Sequence, residues 1–299
     1  MTGQLAIVTG ASRGIGRAIT RRLAADGIAV AAVARTLRPG DGPLDMSGSL
    51  EETVRLVGED GGLARAFAAD LGDPALDRAA LVAEIEAAFG RRVGILVNNA
   101  AVAPQPGASF LDISRAVFQT SIETNVWNAW DLVRAVVPSM RARGGGSIVT
   151  ISSRLAGPRV GPPYAAHPLG GSVLYGSVKA ALDRLSTGMA MELAPDRIAV
   201  NALSPDRGVA TENAARTVPG WPSEPEETMA EAVLALCTGD PAVLTGRVAY
   251  SLSLLRELDR PVRTLDGRSL VPGWQPADID PAALLPEHLV FNPAPPAGR

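Results

Sequence analysis

The sequence has one cysteine, Cys237, so neither an intramolecular disulfide nor a cluster of thiolate ligands can form within it. A lone cysteine in an apolar helical stretch reads as a small buried residue. Basic charge is not in surplus either: 28 Lys+Arg stand against 31 Asp+Glu, scattered among one another, for a formal net charge of -3. Nothing here makes a basic field for nucleic acid. No stretch approaches the ~18 uninterrupted apolar residues that a membrane span needs. Met1 leads within a few residues into Leu5-Ala6-Ile7-Val8, the pattern of a core strand rather than a signal peptide, so a cytoplasmic location is expected. No internal repeat is visible, and no metal site is expected.

With 46% apolar and 20% charged residues, the 299-residue chain can bury a full core. Short apolar runs recur at Leu5 to Thr9, Ile28 to Ala34, Ala64 to Ala69, Gly94 to Val97, Ser147 to Ser152, Ile198 to Leu203 and Gly246 to Ser251, each a strand buried on both faces. Helical patterns lie between them, at Gly16 to Asp26, Ser49 to Glu59, Pro74 to Phe89, Ser114 to Arg143, Leu174 to Leu193 and Glu226 to Cys237. Strict alternation predicts an α/β fold, a single Rossmann-type doubly wound parallel sheet with helices on both faces. It occupies residues 1–260 and is followed by an irregular, proline-rich C-terminal extension, 261–299. Within that extension Thr264 to Arg268 predicts a turn, and the remainder is expected on the surface, on a neighbouring subunit or across the substrate cleft.

Thr9-Gly10-Ala11-Ser12-Arg13-Gly14-Ile15-Gly16 joins the first strand to the first helix. Glycines at 10, 14 and 16 allow a tight turn, a close approach to a pyrophosphate and tight helix–strand packing, while the helix N-terminus faces the phosphate charge. Ser12, Arg13 and Ile15 share that loop. About 20 residues on, where an acid would hold the ribose hydroxyls of NAD, stand Arg35 and Thr36. A guanidinium there pairs with a 2′-phosphate, and Arg13 reaches the same region, which favours NADP(H) over NAD(H). Asp41 and Asp45 in the following loop leave a ribose contact open.

The glycine loop, Asn98-Asn99-Ala100, Asn125, Ser153 and Tyr175-x-x-x-Lys179 occur in the order of the classical short-chain dehydrogenase/reductase family, which the chain resembles over about residues 4 to 251. The stretch after Arg35 resembles an extended-loop bacterial branch of hydroxysteroid-dehydrogenase-like proteins. The resemblance implies hydride transfer between a nicotinamide and a ketone or secondary alcohol, with Ser153, Tyr175, Lys179 and Asn125 as catalytic residues. Tyr175 and Lys179 stand one helical turn apart, so an ammonium beside the phenol is expected to bring its pKa down toward the working range. By resemblance Lys179 also holds the nicotinamide ribose, Ser153 bonds the substrate oxygen, and Asn125 holds a water linking Lys179 to solvent. Asp70 matches an adenine-binding acid, or else caps a helix near Pro74. Leu71, Asn98, Ala100 and Pro205 are further cofactor contacts carried over in the same way.

Three departures stand out. Alanine occupies position 101 in place of the usual glycine. Pro205 to Thr211 carries one extra residue, which leaves open whether Thr211 touches the nicotinamide. The connection from Ser153 to Tyr175 is longer than usual and contains Tyr164 and His167, which either touch substrate or decorate a loop. The alternatives are a 3-oxoacyl-thioester reductase, with Arg154 and Arg159 favouring an anionic carrier, and a cofactor-binding regulator without turnover. The resemblance further implies a homodimer or homotetramer that pairs through the helices at 114–143 and 174–193.

Overall fold

The computed structural model describes residues 3–41, 47–102, 109–158, 162, 172–212, 223–281 and 284. Tyr164, His167, Arg159 and Asp45 lie outside the described residues. The strands are β1 (Leu5–Thr9), β2 (Ala29–Ala34), β3 (Ala64–Ala68), β4 (Ile95–Asn98), β5 (Gly146–Ile151), β6 (Ile198–Ser204), β7 (Gly208–Val209), β8 (Ser223–Glu224) and β9 (Val248–Tyr250). Seven form one parallel sheet in the order β3-β2-β1-β4-β5-β6-β9, and β7 and β8 make a small parallel pair of their own. This is the Rossmann-type α/β fold that the alternation predicts.

Every residue of β1, β2 and β4 is buried, as befits strands covered on both faces. Their alternate side chains feed two cores. One packs under α1 (Gly14–Ala25), α2 (Leu50–Glu59) and the last two helices described below, and the other under α3 (Arg78–Phe89) and the helices that follow it as far as Leu193. Between β1 and β4 the strand order reverses, which opens a crevice at the carboxyl ends of the strands, where the glycine loop and Asn98 lie.

Local chemistry moves several predicted boundaries. α3 starts at Arg78, four residues later than Pro74 suggested, because Asp77 caps it by accepting from Ala80 N at 2.9 Å. Asp70 instead accepts from Gly72 N at 3.0 Å, which makes it a turn residue and corrects the reading of it as that helix's cap. The helix expected from Ser114 to Arg143 is interrupted: α4 (Arg115–Ile122) passes through a π turn (Glu123–Trp127) into α5 (Asn128–Ala142). Such π turns bulge a helix and re-aim its side chains. α6 (Val173–Leu193) carries Tyr175 and Lys179, and α7 (Glu226–Thr238) and α8 (Ser251–Glu257) are the remaining α-helices among the described residues.

Of the three places open to the C-terminal extension, its described part packs against its own fold, away from the cleft. Val262 and Leu265 are buried in the core shared with α1 and α7. Arg268 donates to the Asp60 carbonyl beyond α2 at 3.2 Å, and Gly267 sits against Arg22 and Ala25 near the end of α1. Because α1 and α2 begin at the crevice side of the sheet, their ends mark the opposite edge. The predicted turn is present, closed by Gly267 N to Thr264 O at 2.7 Å and flanked by an antiparallel Arg263–Leu270 bridge.

Candidate active site

The glycine loop is packed so closely that side chains are excluded from it. A Cβ on Gly10 would lie 2.8 Å from Asn99 Nδ2, and one on Gly16 would collide with the Gly10 carbonyl. α1 starts without a side-chain cap, which leaves its first amides free to face an anion. Asn99 and Thr9, to which the sequence reading gave no separate role, hold this loop in place. Asn99 Nδ2 donates to Thr9 O at 2.8 Å, while Thr9 Oγ1 accepts from the amides of Asn99 and Ala100 at 2.9 and 3.0 Å. The Thr211 side chain lies over Gly14, and Glu212 pairs with Arg17, so the segment after β7 folds back onto the glycine loop.

At the end of β2, Arg13 Nη2 donates to Thr36 Oγ1 at 3.1 Å and to Gly48 O at 3.3 Å. Arg35 beside it is exposed. Burial and the neighbouring Arg35 and Arg17 charges hold the Arg13 guanidinium below its ordinary range, and Arg13 Nε is buried with no hydrogen-bond partner among the described residues. Arg13 with its orphaned donor and the exposed Arg35 beside it form a pair of cations suited to an anion, whereas Arg17 is already paired with Glu212. Asn98 is buried with its Oδ1 likewise unpaired. Asp70 is exposed and Leu71 buried directly after β3. The residues present therefore fit a dinucleotide.

β5 delivers Ser152 and Ser153 to the crevice, and α6 sets Tyr175 and Lys179 facing them. The Ser153 hydroxyl is hydrogen-bonded to the Tyr175 phenol and also accepts from Leu155 N at 3.2 Å. Lys179 Nζ lies 5.6 Å from the centre of the Tyr175 ring and donates to Ile151 O at 2.7 Å. Burial pushes the phenol up to about 12, with the Ser153 hydrogen bond acting the other way. This differs from the lowering expected from Lys179: burial dominates, and the ammonium is turned toward the end of β5. Burial also lowers Lys179 to about 8, offset in part by Asp183.

Asn125 occupies the π turn and is 2% exposed. Its side chain bridges the chain after β4, accepting from Val102 N at 3.1 Å and donating to Val102 O at 3.0 Å. Pro205 follows β6, and next to it Asp206 caps α8 by accepting from Leu252 N and Ser253 N at 2.8 and 3.1 Å. Arg154 Nη1 donates to Asp206 O, tying the turn after Ser153 to this loop. Glycine loop, Asn98, Ser153, Tyr175, Lys179 and Pro205 thus gather along one edge of the sheet, as their strand and helix positions predict.

A family model of short chain dehydrogenases matches residues 4–219. The chain belongs to that family of oxidoreductases. It is 34% identical over 254 residues to human dehydrogenase/reductase SDR family member 4, covering 85% of this chain and 82% of that one. Over 238 residues it is 34% identical to the oxidoreductase UcpA of Escherichia coli, covering 79% and 81%. Among solved structures, a 3-oxoacyl (acyl-carrier-protein) reductase of Agrobacterium tumefaciens with NADP bound superposes with a TM-score of 0.68 at 26% identity, covering 83% of this chain and 93% of that one. A nicotinamide cofactor follows from the family and the fold. Among the described residues no helix is long and apolar enough to cross a membrane, and no group of three metal-ligating side chains occurs.

Proposed function

We propose that the protein is an NADP(H)-dependent reductase of ketones, reversible toward secondary alcohols, with Tyr175 as the general acid. The observation that carries this reading is the Ser153–Tyr175 hydrogen bond with Lys179 set one turn below it on α6. The nicotinamide supplies the hydride when it is bound. Ser153 holds the carbonyl oxygen, and Tyr175 delivers its proton there as negative charge develops. A phenol pushed up to about 12 is protonated throughout the neutral range, which suits the reductive direction. Lys179 balances the phenolate left behind and binds the nicotinamide ribose, and Asn125 orders the water path through which the proton is replaced. Arg13 and Arg35 take the 2′-phosphate.

A 3-oxoacyl-thioester is the less favoured substrate, because Arg154, the described one of the two arginines that would favour an anionic carrier, is already engaged with Asp206 O. Following NADPH absorbance against ketones, acyl thioesters and sterols tests both readings. Turnover of ketones but not thioesters is expected, and no turnover of any carbonyl would overturn the proposal. Exposed Phe118, Ile122 and Trp130 on α4 and α5, with Val173 on α6, support pairing with a second copy in a dimer or tetramer in the cytoplasm. A monomer by light scattering would refute that pairing.

A further inference from the structure

α6 carries a third ionisable side chain behind the pair already described. Asp183 stands four residues after Lys179 and eight after Tyr175, so the three follow one another along one side of the helix. It is partly buried, and its Oδ1 is enclosed without a hydrogen-bond partner among the described residues. The Ser152 hydroxyl, from the residue preceding Ser153, lies where its one proton serves either this carboxylate or the Lys179 carbonyl, to which it donates at a long 3.4 Å. The charged or titratable groups facing Asp183 are Lys179 on its own helix and Tyr250 on β9; β5 and the turn after it contribute Ser152, which does not titrate in this range.

A lysine 3% exposed and bonded to a neutral carbonyl has little to hold its proton. A carboxylate left with an unpaired oxygen is a poor device for packing, since a leucine or an asparagine would fill the same space at less cost in desolvation. Placed one turn behind an ammonium, it has an electrostatic use. We propose that Asp183 is a positioning residue for the reaction: its carboxylate, steadied by Ser152, keeps the buried Lys179 protonated and held in place beneath Tyr175. This rests on the reading of Tyr175 and Lys179 given above.

The two carboxylate-dependent limits of activity follow. Burial raises Asp183 to about 6 against the pull of Ser152 and Lys179, so activity should decline on the acid side as that carboxylate is protonated. On the alkaline side it should decline as Lys179, near 8, loses its proton. Asp183→Asn should move the alkaline limit of kcat to lower pH by about one unit, a tenfold loss at a fixed pH beyond the limit, with little change in KM for the carbonyl. Asp183→Glu should recover most of it. Ser152→Ala, which keeps the carboxylate but removes its hydrogen bond, should move the acid limit upward, and it serves if Asp183→Asn fails to fold. A stable Asp183→Asn enzyme with the parent pH profile would overturn the inference, as would a Ser152→Ala profile with an unmoved acid limit. Lys179→Ala belongs in the same series. If it turns over normally, the catalytic reading falls and the inference with it; if it is inert while the Asp183→Asn profile is unshifted, the inference alone falls.

Discussion

Arg22 Nε lies 2.6 Å from Glu231 Oε2 across the contact between α1 and α7, and both side chains are almost wholly buried. Arg260 Nε reaches the other carboxylate oxygen at 2.7 Å. One anion therefore joins the first helix, the seventh and the residue that leads into the C-terminal extension.

Glu231→Gln should destabilise the protein strongly, because it leaves Arg22 buried without its counter-charge; breaking one partner of such a pair costs on the order of 3 kcal/mol. Arg260→Ala, at the more exposed side of the network, should cost less. Thermal or urea unfolding checks the order, and Michaelis constants for NADPH and the carbonyl should be unchanged in folded Arg260→Ala. A change in the carbonyl KM alone would return the extension to the substrate cleft.

The cofactor preference rests on Arg13 and Arg35. NADPH should bind at least ~10-fold more tightly than NADH, about 1.4 kcal/mol, and Arg35→Asp should reverse the order. Thr36→Val should weaken the preference through Arg13, which loses the hydroxyl it donates to. Titration of protein fluorescence with the two cofactors measures both effects, and equal affinities in the parent protein would defeat the assignment.

Tyr175→Phe removes only a hydroxyl, so fold and NADPH binding should survive while turnover falls ~10²- to 10⁴-fold. Tyr164→Phe should retain most activity. The reverse pattern in a steady-state assay would make the long loop the source of the proton.

Glu224 offers a stability test. It is buried beneath the loop after β6, accepting from Thr228 Oγ1, Ser251 Oγ and Arg207 N, and burial raises it from 4.5 to about 7. Between those values the folded protein holds a proton that the unfolded chain has released. Stability should therefore fall as pH rises from 4.5 toward 7 and level off above, with a slope from this one group of at most about 1.4 kcal/mol per pH unit. In Glu224→Gln the slope should flatten, Asp183 leaving a smaller one of the same sign. Urea midpoints across that range that decline equally in both proteins would show that the titration lies elsewhere.

The sheet and the cofactor edge were legible because each rests on local chemistry: an all-apolar run such as Leu5 to Val8 has few alternatives, and a glycine loop between strand and helix has one obvious use. Tyr175 and Lys179 were legible through the resemblance, because the glycine loop, Asn125 and Ser153 stand with them in the family's order; their spacing alone would also suit an exposed helical pair. Asp183 carried the same signal one turn further on, yet its meaning depends on Ser152, which only folding brings beside it. The π turn at Asn125 was illegible because periodicity continues through it. The placement of Val262 and Leu265 depended on a partner surface far away in sequence. The titration of Tyr175 depends on how deeply it is buried, and an ammonium four residues away says nothing about which carbonyl it will choose.

The Arg22–Glu231 contact spans 209 residues of chain. During synthesis α1 emerges early, carrying an arginine whose counter-ion has yet to be made, and the second arginine of the network follows later still. Closure of the α1 face is thus a late event in the life of the nascent chain. Contacts of such long sequence separation slow folding, so the half-made protein exposes the apolar flank of α1 for as long as translation of the remainder takes. Chaperone demand should accordingly be greatest before residue 231 is added and should ease once 260 to 271 have docked.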